Sequence, residues 1–272
     1  MDPCHDTLPW VDSSRMAIRL GVWILGLIEV LNPGVLIAQE SGPARVLIVG
    51  DSHTAFTFGR ALHENLLSET GIRPSTFASC GSKISHWLNG GWSSNCGFWS
   101  RSEGEESHYW QSGHPTPRLG ALLDEVHPSH VVIALGSNHL WRSPGLDNAE
   151  EEIRQTIAAV KARGAQCLWI GPPRMLTPTP AQVERFYRAL RGIASRPEFR
   201  CHVVDSRNWT RYPTGSEGDG THYDRGDLRD TARSWARQST LVMRTWVRAT
   251  IGRRAAPGRS SDSGSPGASP AR

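Results

Sequence analysis

Several things are scarce in this chain, and each scarcity removes a class of function. Five cysteines occur in 272 residues. None forms a CxxC pair or stands at ligand spacing from a histidine, so nothing points to zinc. Lysine is nearly absent. The 30 basic residues are almost all arginine, scattered rather than blocked. The net charge of +4 and the pI near 9.0 therefore read as a solvated surface, and no nucleic-acid partner is expected. There is no internal repeat. No apolar run has the length of a spanning helix, because Glu29 and Pro33 interrupt the first one.

What is present begins with an export-like N-terminus. Arg15 and Arg19 precede the apolar run Leu20 to Ile28, and the stretch from Met16 has the proportions of a signal peptide. Cleavage after Ala38 is conceivable, although Leu36 is a poor small-residue partner for it. Residues 1–44 are expected to be an export signal, or an N-terminal anchor, with a polar linker. A buried helix of the fold is the remaining alternative. The chain is then exported to a periplasmic or extracellular space, or held at a membrane; membrane contact is expected only if the segment stays uncleaved. Residues 253–272, rich in Ser, Gly, Pro and Arg, read as a disordered tail. Cysteine usage fits export. Cys4 falls in the segment expected to be removed. Cys80 and Cys96 flank a Gly-, Ser- and Trp-rich loop that a disulfide would restrain. Cys167 and Cys201, each near a strand start, either pair or stay as buried thiols.

Between these ends, residues 45–252 alternate strand and helix patterns. Strands are expected at Val46–Val49, Ser75–Ser79, Ser129–Leu135, Gln166–Ile170 and Cys201–Val204. Helices follow Thr54, at 117–126, at 149–163, at 180–194 with a proline at the start, and at 227–250. This gives an α/β fold on a five-stranded parallel sheet, with right-handed crossovers that put the strand ends on one rim. Ser82 to Thr116, with Trp87, Trp92, Trp99 and Trp110, lacks periodicity. It reads as a long loop.

The rim is where chemistry collects. Gly50-Asp51-Ser52-His53 ends the first strand, Gly81 follows the second, and Gly136-Ser137-Asn138-His139 follows the third. Asp219-Gly220-Thr221-His222 lies beyond the fifth. Ser52, between a strand and a helix N-terminus, suits a nucleophile that generates an oxyanion beside free N–H donors. The plain alternative is that Asp51 or Ser52 only caps the helix. His222 is the candidate base and Asp219, three residues earlier, its orienting carboxylate. The N–H groups of Ser52 and Gly81 and the Asn138 amide are the candidate oxyanion donors.

In order, these four blocks resemble those of the SGNH (GDSL-type) hydrolase family, over roughly Val46 to Arg248. The resemblance implies a flavodoxin-like three-layer α/β/α sandwich and an acylated serine. It carries the roles of nucleophile, oxyanion donors and acid–base pair onto Ser52, Gly81, Asn138, Asp219 and His222. Two positions depart from the family pattern. His53 replaces a common leucine, and His139 a common aspartate.

The expected function is a serine esterase releasing a short acyl group through an acyl-enzyme, with an acetyl group on a carbohydrate as the expected substrate. Its partners are then a small acyl ester or an acetylated glycan. No cofactor or metal is expected, and the protein is expected to act as a monomer. His53, His139, Trp87 and Trp141 are candidate pocket-lining residues. Two alternatives differ in kind. Asp51, His53, Asn138 and His139 have the look of a metal-dependent phosphoesterase site. Against it, no Gly-Asp-x-x-Asp or Gly-His-x-His accompanies them. The tryptophans also suit a non-catalytic carbohydrate-binding protein, or simply a small satellite core under the loop.

Overall fold

Strand β1 (Ala44–Gly50) lies in the middle of the sheet, and its alternation builds both sides of the core. Leu47 and Val49 face one apolar cluster, Val46 and Ile48 the other, all fully buried. The computed structural model describes residues 42–102, 104–109, 113–140, 146–215 and 218–255, the last four by backbone alone. Residues 1–41 and 256–272, which hold most of the expected N-terminal export segment (1–44) and C-terminal tail (253–272), lie outside the described residues, as do Trp110 and Trp141. Among the described residues no helix is long and apolar enough to cross a membrane.

The sheet has seven strands rather than the five expected. Its parallel part contains β2 (Ile72–Ser79), β1, β5 (His130–Ala134), β6 (Gln166–Ile170) and β7 (Cys201–Val204), in that spatial order. This is the flavodoxin-like order, with the strand that begins the chain path at the switch point. Two antiparallel strands, β3 (Phe98–Ser102) and β4 (Glu105–Tyr109), extend the β2 edge. They come from the stretch read as a structureless loop. Its short strands, polar and aromatic on one outer edge, carry little period-2 signal. Pro74 sits inside β2 opposite Val46, at a point where β3 has not yet begun to pair, since β3 first meets β2 at Thr76. A missing N–H is tolerated on such a locally open edge.

Helices α2 (Thr57–Leu67) and α8 (Leu228–Ala255) cover one face. Helices α4 (Leu119–Val126), α6 (Ala149–Ala162) and α7 (Pro180–Ala194) cover the other, giving the α/β/α sandwich, and the short helices α3 (Ile84–Asn89) and α5 (Ser137–Leu140) follow β2 and β5. Local chemistry sets their starts. Thr179 accepts from the Gln182 N–H while Gln182 answers the Thr179 N–H, and Pro180 occupies the first turn. Glu150, Glu151 and Glu152 sit at the positive end of α6. Two disulfides are formed. Cys80–Cys96 closes the loop beyond β2, and Cys167–Cys201 joins register partners on β6 and β7.

Candidate active site

β1 ends at Gly50 and the chain turns at once into α1, a single turn at Ser52–Ala55. The turn is too tight for a side chain at Gly50, where a Cβ would lie 2.0 Å from the Thr54 hydroxyl oxygen. Asp51 caps it by accepting the His53 N–H at 3.1 Å. Ser52, 3% exposed, therefore stands at the carboxyl edge of the sheet on a helix N-terminus. The capping reading and the nucleophile reading of this stretch thus fall on different residues, Asp51 and Ser52.

The Asp219–His222 turn reaches the same rim from the far end of the chain. Asp219 Oδ1 accepts the N–H groups of Thr221 at 2.9 Å and His222 at 2.8 Å, which folds the turn around its own carboxylate. Gly220 supplies the positive φ of 78°, and its N–H donates to the Tyr212 hydroxyl at 3.0 Å. The free carboxylate oxygen, Oδ2, accepts the His222 Nδ1–H at 2.5 Å. A carboxylate only accepts, so Nδ1 carries the proton and Nε2 is left as acceptor. The Ser52 hydroxyl donates to that Nε2 at 2.8 Å. The ring of His222 is 28% exposed and the Asp219 side chain 53%. Burial works against the charged carboxylate, but hydrogen bonds from the His222 ring, the His222 N–H and the Thr221 N–H outweigh it and hold Asp219 at about 2. It is ionised at any pH near neutrality.

The loop after β2 and the Asn138 block are tied together through Ser82. One N–H of the Asn138 amide donates to the Ser82 carbonyl at 3.0 Å, which fixes the amide plane and leaves its second N–H. The Ser82 hydroxyl in turn touches the Gly50 carbonyl at 3.5 Å, tying the loop after β2 to the end of β1. Between Cys80 and Ser82, Gly81 holds a φ of 79°, a conformation that suits glycine.

The two unusual histidines separate. His53 is buried 5.5 Å from the His222 ring and 5.7 Å from Trp235. Burial, with the charge of His222, pushes it down to about 3, so it is neutral. It borders two small cavities of about 10 Å³ under the site, one also lined by Asp51 and the other by Phe56 and His222. Burial likewise raises Asp51 to about 7, against the His53 N–H and the charge of His222. His139 turns away. Its Nε2 meets Glu152 at 2.7 Å, and the side chain is buried. Trp87 is fully buried in the core, its indole N–H donating to the Ser82 hydroxyl at 2.9 Å. Both of these candidate lining residues are buried and hydrogen-bonded to neighbouring side chains.

Asp51, His53, Asn138 and His139 are thus spent on a helix cap, a buried ring, a loop carbonyl and a glutamate. Among the described residues no group of three or more His, Cys, Asp or Glu side chains is arranged to hold a metal ion. Ser82 and Glu152 belong to the neighbourhood and were not singled out from the sequence, and Trp92 was read there only as one of the long loop's tryptophans. Only Trp92 carried a local signal, an indole directly after Gly90-Gly91.

The fold and the rim together define an ester-hydrolysing enzyme on an α/β/α sandwich. The family model of the GDSL-like lipase/acylhydrolase family matches residues 48–229, more than half of the chain. The chain belongs to that family, the SGNH hydrolases. Among solved structures it resembles the psychrotrophic esterase EstA from Pseudoalteromonas sp., inhibited there by monoethylphosphonate. The TM-score is 0.53 at 16% identity, covering 75% of this chain and 98% of that one. It also resembles TesA, with a TM-score of 0.50 at 21% identity, covering 73% and 98%. At these identities the likeness is one of fold. No curated protein matches the sequence.

Proposed function

We propose that this chain is an exported serine esterase that removes a short acyl group, an O-acetyl group on a carbohydrate, through an acyl-enzyme. The observation that carries the reading is the single imidazole of His222 joined to the Ser52 hydroxyl on one side and to the Asp219 carboxylate on the other. His222 takes the proton as Ser52 attacks the carbonyl, and Asp219 stabilises the imidazolium that forms. The Ser52 and Gly81 N–H groups and the free N–H of Asn138 hold the oxyanion, each worth roughly 3–4 kcal/mol in the transition state. His222 returns the proton to the leaving alcohol. A water, deprotonated by the same ring, then releases the acid.

Two disulfides in one domain support an oxidising compartment, and the Arg-flanked apolar N-terminus supports export. Export favours a glycan-borne ester. The test is a panel of esters of graded acyl length, with acetylated polysaccharides included, run beside fluorophosphonate labelling. Labelling confined to Ser52, with release of acetate from a polysaccharide, is the expected result. Phosphodiester cleavage abolished by a chelator, with no labelling of Ser52, would replace the reading with the metal-dependent one.

A further inference from the structure

Trp92 is built unlike the other described tryptophans of its stretch. Trp87 and Trp99 are buried, but Trp92 is only half-buried. This partly exposed indole is held by three features of its surroundings. Its face lies on the His86 ring, with centroids 4.2 Å apart and planes 14° from parallel. Its backbone carbonyl accepts both the Thr116 N–H at 2.7 Å and the Thr116 hydroxyl at 2.8 Å. The N–H of Gly91 closes the clamp on the Thr116 carbonyl at 2.8 Å, and the Ser79 hydroxyl at the end of β2 anchors Thr116 at 2.8 Å. The third restraint is the Cys80–Cys96 disulfide around the same loop.

The fixed indole points at the oxyanion loop. A methyl group at Gly81 would meet Cη2 of Trp92 at 3.3 Å and the Cys96 sulfur at 3.9 Å. The space between the Gly81 backbone and the Trp92 ring edge is therefore about the width of one methyl group. Gly81 is itself followed by Ser82, which touches both Gly50 and Asn138.

Which part of a substrate would lie there follows from the proton path. The leaving oxygen has to face His222 Nε2, because it receives the proton from that ring. The carbonyl oxygen turns to the Gly81 and Asn138 donors. The acyl substituent takes the remaining direction, away from His222 and along the oxyanion loop. We propose that Trp92, braced by His86 and the Cys80–Cys96 loop, is the wall that closes the acyl side of the site and restricts the enzyme to short acyl groups. The proposal rests on the esterase reading above and gives its acyl preference a residue. His86 reinforces the wall as a neutral ring: burial, with Lys83 nearby, lowers it to about 4, and its Nδ1 accepts the Lys83 N–H at 3.1 Å.

The experiment compares kcat/KM for p-nitrophenyl acetate, butyrate and octanoate in the wild type, Trp92→Ala and Trp92→Phe. The octanoate-to-acetate ratio is expected to rise by about tenfold or more in Trp92→Ala, the scale on which a pocket discriminates a few methylenes. It should rise less, in the same direction, in Trp92→Phe, which keeps an aromatic on the His86 face and carries the test should the alanine variant not fold. A set of acetates with alcohols of different size serves as control and is expected to keep its order. An unchanged octanoate-to-acetate ratio in a folded variant overturns the proposal, as does a change that follows the alcohol instead of the acyl chain. If the wild type hydrolyses no ester in a Ser52-dependent way, it is the esterase reading that fails. That outcome is separate, because the wild type compared with Ser52→Ala reveals it without any Trp92 variant.

Discussion

Ser52 and His222 lie 170 residues apart in sequence and 2.8 Å apart in space, hydroxyl to imidazole. Neither would reach the other without the sheet. Ser52 is fixed by the strand-to-helix turn at β1, and His222 by the turn that Asp219 folds around itself. Replacing Ser52 or His222 with alanine is expected to lower kcat on a chromogenic acetate by about 10³-fold or more, with KM changed little. Asp219→Ala should cost less, about 10²-fold, because its half-exposed position lets water take over part of the imidazolium's stabilisation. A Ser52→Ala enzyme with wild-type turnover would remove the acyl-enzyme from the mechanism.

Asn138 acts at one remove from that pair. Its amide is committed to the Ser82 carbonyl through one N–H, so the second is aimed by the first. Asn138→Ala should lower kcat by roughly 10²–10³-fold, the usual worth of one oxyanion donor, while fluorophosphonate still labels Ser52, more slowly. Asn138→Asp should be no better, since a carboxylate at neutral pH accepts hydrogen bonds and repels the oxyanion. Steady-state kinetics and the labelling rate separate the two effects. Equal kcat in wild type and Asn138→Ala would assign the hole to backbone groups alone.

The parallel strands and the blocks at their ends were legible because each is a local pattern. β6, α7 and β7 have the bounds their residues announce, Gln166–Ile170, Pro180–Ala194 and Cys201–Val204. What the sequence hid was non-local. β3 and β4 are strands because β2 offers an edge to Phe98–Ser102, and neither segment alternates strongly enough to say so. The partner of His139, Glu152 on α6, was hidden too, because it has no signature in the sequence around Asn138. Trp87 was hidden in the same way, since burial of an indole depends on the layer it packs into.

Asp51 and His53 are two residues apart, both buried, and displaced in opposite directions, and stability should report this. Asp51, raised to about 7, keeps its proton in the folded state between about pH 4 and 7 while the unfolded chain loses it, so its share of stability falls as pH rises through that window. His53, lowered to about 3, stays neutral when folded while the unfolded chain binds a proton below about 6.5. Its share of stability therefore rises with pH between about 3 and 6.5. Relative to wild type, Asp51→Asn should gain stability progressively from pH 4 to 7 and level off above, by as much as about 4 kcal/mol. His53→Gln should show its largest gain at acid pH and none above about pH 7. Denaturant melts of the three proteins across this range check both slopes. Parallel curves for wild type and Asp51→Asn would mean that Asp51 ionises normally in its buried place.

The two disulfides have different neighbours, and breaking them should have different consequences. Cys167–Cys201 joins β6 to β7 within the sheet, at positions already hydrogen-bonded through the ladder. Cys80–Cys96 closes the loop that carries Gly81 and Trp92, beside the oxyanion candidates rather than within the sheet. Each closes a loop of a length that constrains the unfolded chain by about 3–4 kcal/mol in the entropy model. The Cys167→Ser/Cys201→Ser enzyme is therefore expected to melt at a lower temperature and to keep its kcat/KM on acetate at temperatures where it remains folded. Cys80→Ser/Cys96→Ser should lose comparable stability and also lose activity while still folded, by about tenfold or more, because a donor displaced by even 1 Å stabilises the oxyanion poorly. Thermal melts and kinetics on the same preparations make the comparison. If both pairs cost stability alone, the loop holds Gly81 in place without its crosslink, and the Thr116 clamp on Trp92 is enough to position it.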